Sequence, residues 1–220
     1  MHTSDTLDWN AIDTVLVDMD GTLLDLAFDN FFWLELVPER YADRHGLELG
    51  EARRRLIERF DGAAGTLAWY CVEHWTRALE LDIKSLKRAH KHLIRFLPRA
   101  PEFLGAVRAR GKPVFIVTNA HHETIAVKAE HTGIDTLVDG LFCSHELAAP
   151  KETVEFWERL RQRQHFDRER TLLIEDSLAV LGAARAFGLE HTLAIRRPDS
   201  SRAPRMIADF PSVEGVAELI

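Results

Sequence analysis

A chain of 220 residues, 46% hydrophobic and 29% charged, can bury a full core and can hold one domain with a large insertion or two small domains. Its 28 basic and 35 acidic residues leave a formal charge of −7, which argues against broad contact with a nucleic-acid phosphate backbone. Cys71 and Cys143 lie far apart and suggest neither a disulfide framework nor a zinc-type cysteine pair. With no leader-like segment and no apolar run near about 18 residues, the expectation is a soluble protein of the cytoplasm with no membrane contact.

The first apolar run, Val15-Leu16-Val17, reads as a buried strand that ends in Asp18-Met19-Asp20-Gly21-Thr22. Side chains two apart in an extended stretch point the same way, so Asp18 and Asp20 can face one pocket, and Gly21 lets the chain turn sharply. One carboxylate can attack while the other moves a proton. The same residues also suit a plain solvated turn. From Leu26 to about Leu97, apolar residues such as Leu56 and Phe60, then Leu67, Tyr70 and Trp75, recur at helical spacing. This predicts a helical block, with breaks at Pro38, Gly46-Leu47, Asp61-Gly62 and Leu81-Asp82.

From Pro101 the pattern alternates. A helix to Arg110, stopped by Gly111, leads into the strand Val114-Phe115-Ile116-Val117 and then Thr118-Asn119. Leu141-Phe142-Cys143 precedes a loop to Lys151 and a helix bearing Phe156, Trp157 and Leu160. Leu172-Leu173-Ile174 ends in Glu175-Asp176-Ser177 before a helix to Phe187-Gly188. Leu193-Ala194-Ile195 reads as a fifth strand, and a short helix from Val213 to Leu219 closes the chain. Short apolar strands separated by helices imply an α/β, doubly wound parallel sheet covered on both faces. Ligands of such sheets bind beyond the carboxyl ends of the strands, near the reversal of strand order, and every polar cluster named above follows a strand.

His121 and His122 stand just before a helix that starts near Glu123, where they could touch a substrate or simply open the helix. Phe28, Phe31, Phe32, Trp33, Trp69, Tyr70 and Trp75 could stack a base, although aromatic residues at helical spacing more commonly fill a core. The basic runs Arg53-Arg54-Arg55 and Arg159 to Arg170 are broken by acidic and apolar residues and read as solvated helix faces.

With Asp18-x-Asp20-Gly21-Thr22, Thr118-Asn119, Lys151 and Glu175-Asp176 in this order, the chain resembles the haloacid dehalogenase (HAD)-like phosphohydrolase superfamily. The resemblance implies a Rossmann-like core of residues 1–25 and 98–220 with an α-helical cap inserted over 26–97. Further runs are similar to the GMP/IMP 5′-nucleotidases of this superfamily, among them Asp25-Leu26-Ala27-Phe28-Asp29-Asn30, Trp69-Tyr70-Cys71, Ala126-Val127-Lys128-Ala129-Glu130-His131-Thr132-Gly133 and Pro198-Asp199-Ser200.

The implied activity is a Mg²⁺-dependent phosphohydrolase working through an aspartyl-phosphate on a small-molecule phosphate ester, a purine nucleoside 5′-monophosphate. Asp18 would be the nucleophile and Asp20 the general acid and base, while Thr118, Asn119 and Lys151 bind phosphate. The metal would rest on Asp18, the Asp20 backbone carbonyl and Asp176, with Glu175 meeting it directly or through water. Two departures stand out. Many relatives have Lys-Pro where this chain has Pro150-Lys151-Glu152, and the Glu-Asp-Ser run is shared with β-phosphoglucomutases. A hexose-phosphate mutase or sugar phosphatase of the same fold, or a non-catalytic phospholigand-binding protein, therefore stays open. So does the oligomeric state, with a monomer as the working expectation.

Overall fold

Six parallel strands form the centre of the molecule: β1 (Thr14–Val17), β2 (Val114–Thr118), β3 (Gly140–Cys143), β4 (Thr171–Glu175), β5 (His191–Ile195) and β6 (Ser212–Val213). The computed structural model describes residues 7–220, so the first six residues of the expected core segment 1–25 lie outside the described residues. The sheet order is β3-β2-β1-β4-β5-β6, which places the reversal of strand order between β1 and β4. β1, β2 and β4 are buried along their whole lengths, as continuous apolar runs covered on both faces require.

One face carries α9 (Val154–Arg163) and α10 (Leu178–Phe187), whose Phe156, Trp157, Leu160, Val180 and Leu181 pack on Leu16, Val117 and Leu173. The opposite face carries α7 (Ala100–Ala109) and α8 (His122–Thr132), with Phe103, Leu104, Val107 and Val127 against Val15, Val17, Ile116 and Ile174. The expected C-terminal helix is shorter than the sequence suggests. Ser212-Val213 pairs instead with Ala194-Ile195 as an edge strand, leaving a 3-10 turn over Val216–Leu219. Two paired residues are too few to leave an alternating pattern.

The named elements between β1 and α7 are all helical: α1 (Ala27–Phe31), a π-helical turn (Phe32–Leu36), α2 (Val37–His45), α3 (Leu49–Ala63), α4 (Leu67–Tyr70), α5 (Val72–Leu79), α6 (Ile83–Ala89) and a 3-10 turn (Lys91–Leu93). Two expected breaks are corrected. Pro38 sits in the first turn of α2, where its missing N–H is tolerated, and the Val37 N–H reaches back to the Phe32 carbonyl in the wider π turn just before it. Asp61-Gly62 lies inside α3, because burial of Phe60 and Ala63 outweighs the roughly 1 kcal/mol penalty of one helical glycine. The breaks at Gly46, which caps α2 with φ 61°, and at Asp82, whose carboxylate caps α6, stand as read.

The two ends of this insertion lie side by side. The Asp25 amide donates to the Arg95 carbonyl at 2.9 Å and the Leu97 amide to the Leu23 carbonyl at 2.8 Å. Phe28, Phe32, Leu36 and Trp75 of the insertion belong to the same buried cluster as Val17, Ile116 and Val127 of the sheet layer. Among the described residues no helix is long and apolar enough to cross a membrane.

A shared cluster predicts shared unfolding. Phe32 is fully buried, so Phe32→Ala should destabilise by about 3–5 kcal/mol and lower the midpoint of one cooperative denaturant transition. Circular dichroism and tryptophan fluorescence, followed together in urea, check this. An insertion that melts first and leaves the sheet intact would contradict it.

Candidate active site

At the strand-order reversal the Asp18 amide donates to the Ile174 carbonyl of β4 at 2.9 Å, which sets the end of β1 beside Glu175 and Asp176. Lys151 arrives from the loop after β3. Its Nζ donates to Asp18 Oδ1 at 2.5 Å, to Glu175 Oε2 at 2.7 Å and to the Val117 carbonyl at 2.9 Å. Asp18, Glu175 and Lys151 are all buried. Glu175 is further held by the amides of Asp176 and Ser177, which donate to Oε1 at 3.1 and 2.9 Å.

Asn119 explains how Lys151 is aimed. Its Oδ1 accepts the Lys151 amide at 2.9 Å, and its Nδ2 donates to both Glu152 oxygens, of which Oε1 also receives the Tyr70 hydroxyl at 2.6 Å. The residue that takes the place of a proline after the lysine is thus the anchor of the loop. Thr118 is buried at the end of β2, with Oγ1 accepting the Ala120 amide at 3.0 Å. Gly21 turns with φ 88°, and a Cβ there would lie 2.9 Å from Asp176 Cγ and from Pro198 Cβ. Glycine is needed so that the Asp20 loop can approach Asp176.

The carboxylates of Asp18, Glu175 and Asp176 offer ligand atoms within 4.8 Å of one another. Burial and the charge of Glu175 push Asp18 up to about 8. Burial and Asp18 raise Asp176 to about 7, and burial with the neighbouring Asp176 raises Glu175 to about 7. Lys151 stays charged, because Asp18 and Glu175 outweigh the effect of its burial. Arg205 lies 4.0 Å from Asp176 as a second cation, and the all-oxygen donor set of the three carboxyls suits a hard divalent cation.

Asp20 turns to a second buried cluster that the sequence reading did not assemble. Lys128 Nζ of α8 bridges Asp20 Oδ1 and Asp29 Oδ2, each at 2.6 Å, and Lys87 of α6 reaches Asp29 Oδ1 at 3.1 Å. Burial raises the Asp20 carboxyl even against the Lys128 charge, whereas Lys128 and Lys87 overcome burial at Asp29 and hold it down at about 2. The available signal was positional: Lys128 falls on the same face of α8 as the buried Thr124 and beside Val127.

Asp18, Asp20, Thr118, Asn119, Lys151, Glu175 and Asp176 all line one cavity of about 320 Å³, the lower end of the roughly 300–1,000 Å³ usual for small-molecule sites. The insertion supplies its far wall with Trp33, Phe60, Trp69, Tyr70 and Trp75. These aromatic residues do form a core, packed edge to face with Phe60 and Trp75 centroids 5.0 Å apart, yet the same group borders the cavity. Phe28 and Phe32 face the core instead. His121 caps α8 with its Nδ1 accepting the Glu123 amide, and also lines the cavity; burial pushes it down to about 4. His122 is exposed.

A family model described as haloacid dehalogenase-like hydrolase matches residues 12–188. The GMP/IMP nucleotidase YrfG of Escherichia coli is 40% identical over 212 residues, 96% of each chain. Among solved structures, a HAD phosphatase from Thermococcus onnurineus superposes with a TM-score of 0.79 at 21% identity, covering 94% of this chain and 96% of the other. The HAD-hydrolase YfnB from Bacillus subtilis, bound to magnesium, superposes at 0.65 with 20% identity and coverages of 94% and 96%. Both structures share the fold.

Lys128 bridges Asp20 to Asp29 of α1. Lys128→Met leaves half-buried Asp20 without its ammonium partner and Asp29 with Lys87 alone, and should destabilise by about 3–5 kcal/mol in urea unfolding. A loss below about 1 kcal/mol, within the range of an exposed pair, would contradict this arrangement.

Proposed function

The chain belongs to the haloacid dehalogenase-like hydrolase family, and we propose that it is a Mg²⁺-dependent 5′-nucleotidase that removes phosphate from purine nucleoside monophosphates such as GMP and IMP by way of a phosphorylated Asp18. The observation that carries this reading is the pairing of two carboxylates with buried lysines, buried Asp18 on Lys151 and half-buried Asp20 on Lys128, in one cavity at the strand-order reversal.

In the proposed reaction an Asp18 oxygen attacks phosphorus as the bond to the ribose 5′ oxygen breaks. Asp20, raised by burial, gives its proton to that leaving oxygen. It then takes a proton from the water that attacks phosphorus of the acyl phosphate, which releases phosphate and restores Asp18. Lys151 offsets negative charge on Asp18 and on the phosphoryl oxygens, and the Thr118 hydroxyl donates to one of them. Asn119 acts on phosphate through the Lys151 loop that it holds.

The donor set fits Mg²⁺, with Asp18, Asp176 and the Asp20 carbonyl as holders and Glu175 behind them. Bound there, Mg²⁺ supplies the charge neutralisation that lets a dianionic phosphate enter a site of carboxylates. The helical insertion, 26–97, serves as the cap, and its Trp33, Trp69 and Tyr70 are the surface offered to the base. The purine assignment is supported by the 40% identity to a GMP/IMP nucleotidase together with this aromatic wall.

A panel of phosphate esters assayed with Mg²⁺ tests the reading, comparing IMP, GMP, a hexose phosphate and an activated aryl phosphate on wild type and Asp20→Asn. Wild type should show its highest kcat/KM on the purine nucleotides. Asp20→Asn should lose about 10²–10⁴-fold on nucleotides but far less on the aryl phosphate, whose leaving group scarcely needs a proton. Equal losses on both would remove the acid role from Asp20, and a preference for hexose phosphates would remove the nucleotide assignment.

A further inference from the structure

Beside the catalytic cavity the insertion meets the core at a second group of donors of different chemistry. Cys71 caps the start of α5, and its Sγ lies within 4.8 Å of ligating ring nitrogens of His121 and His145. Glu73, in the first turn of α5, brings Oε2 to 3.0 Å from His121 Nε2 and 3.5 Å from Cys71 Sγ. The His121 and His145 rings meet edge to face with centroids 4.6 Å apart. Both ring nitrogens of His145 are buried, and neither makes a well-aligned hydrogen bond with the described residues, the backbone of Leu67 approaching the ring without reaching that geometry. Leaving a buried polar atom unanswered costs about 1–3 kcal/mol, so this imidazole points to an absent partner.

We propose that Cys71, His121, His145 and Glu73 form a zinc site that fastens the helical insertion to the core. One thiolate, two imidazoles and a carboxylate are the donors that zinc takes in tetrahedral sites, whereas Mg²⁺ selects oxygen alone. The two sites therefore sort their metals by donor softness. Ligand atoms about 2.0–2.3 Å from a tetrahedral zinc stand roughly 3.3–3.8 Å apart, so shifts of about 1 Å close Cys71, His121 and His145 around an ion, and Glu73, exposed and already on His121, swings in as the fourth donor. Cys71 releases its thiol proton to solvent on binding.

The placement gives the site its consequence. Cys71 and Glu73 come from the insertion, His121 from the junction of β2 and α8, and His145 from the loop that carries Lys151. An ion there joins the wall of the cavity to the segment that aims its lysine. Nothing in the phosphate chemistry needs Cys71 or His145, and the inference stands independently of which ester is cleaved.

Cobalt provides the test, added to the full-length protein in excess Mg²⁺ so that the carboxylate site is saturated. About one equivalent of Co²⁺ should develop a thiolate-to-cobalt charge-transfer band in the near ultraviolet with the strong visible bands of tetrahedral coordination, and Zn²⁺ should bleach both. Cys71→Ser should abolish the charge-transfer band, His145→Gln should weaken binding by about 100-fold or more, and Asp176→Asn should keep the band. Absence of the band in wild type overturns the proposal without reliance on any variant. So does an unchanged band in Cys71→Ser, which would assign the thiolate to Cys143, or its loss in Asp176→Asn, which would place cobalt among the carboxylates.

Discussion

The ammonium of Lys151 is the point on which the rest of the structure turns. Its three acceptors come from three strands: Asp18 follows β1, Val117 belongs to β2 and Glu175 ends β4. The lysine itself arrives from beyond β3, so one buried cation gathers the carboxyl ends of four neighbouring strands. Withdrawing an ammonium from water costs several kcal/mol, and the arrangement holds because each of its three N–H donors has an acceptor and two of these are carboxylates. Removing Lys151 would leave Asp18 and Glu175 as like charges in a buried place, which is why charge at this site is a structural constraint as well as a chemical one.

A second buried cluster complements the first. Around Lys151 two carboxylates, Asp18 and Glu175, share one ammonium, whereas Asp20, Asp29, Lys87 and Lys128 bring together two acidic and two basic side chains. Burial raises the Asp20 carboxyl, whereas Lys128 and Lys87 hold Asp29 low, so the two neighbouring carboxyls are shifted in opposite directions. Since Asp29 and Lys87 lie on the helices between β1 and α7 and Lys128 on α8, the position of the Asp20 carboxyl depends on how those helices pack.

The sequence displays whatever is periodic or local. Five of the six strands, the parallel sheet and the helical character of 26–97 follow from apolar spacing, and Asp18, Asp20, Lys151, Glu175 and Asp176 follow from their places after strands. What it hides is set by contacts between distant residues. Lys128 lies 108 positions from Asp20 and Lys87 lies 58 from Asp29, so no window contains either pair. Pro38 and Gly62 mislead because burial of their helices overrides local preference. The role of Glu152 as anchor for Asn119 and Tyr70 was equally out of reach, since it joins the insertion to two loops.

The central claim is that Asp18 carries the phosphoryl group between substrate and water, and rapid acid quenching during turnover of phosphorus-radiolabelled GMP in Mg²⁺ tests it most directly. The account predicts label on the protein that is released by hydroxylamine, as an acyl phosphate is, and that maps to the peptide containing Asp18. Label on another residue, or turnover of GMP with no labelled protein at any quench time while a trapped acyl phosphate is demonstrably stable to the quench, would contradict it.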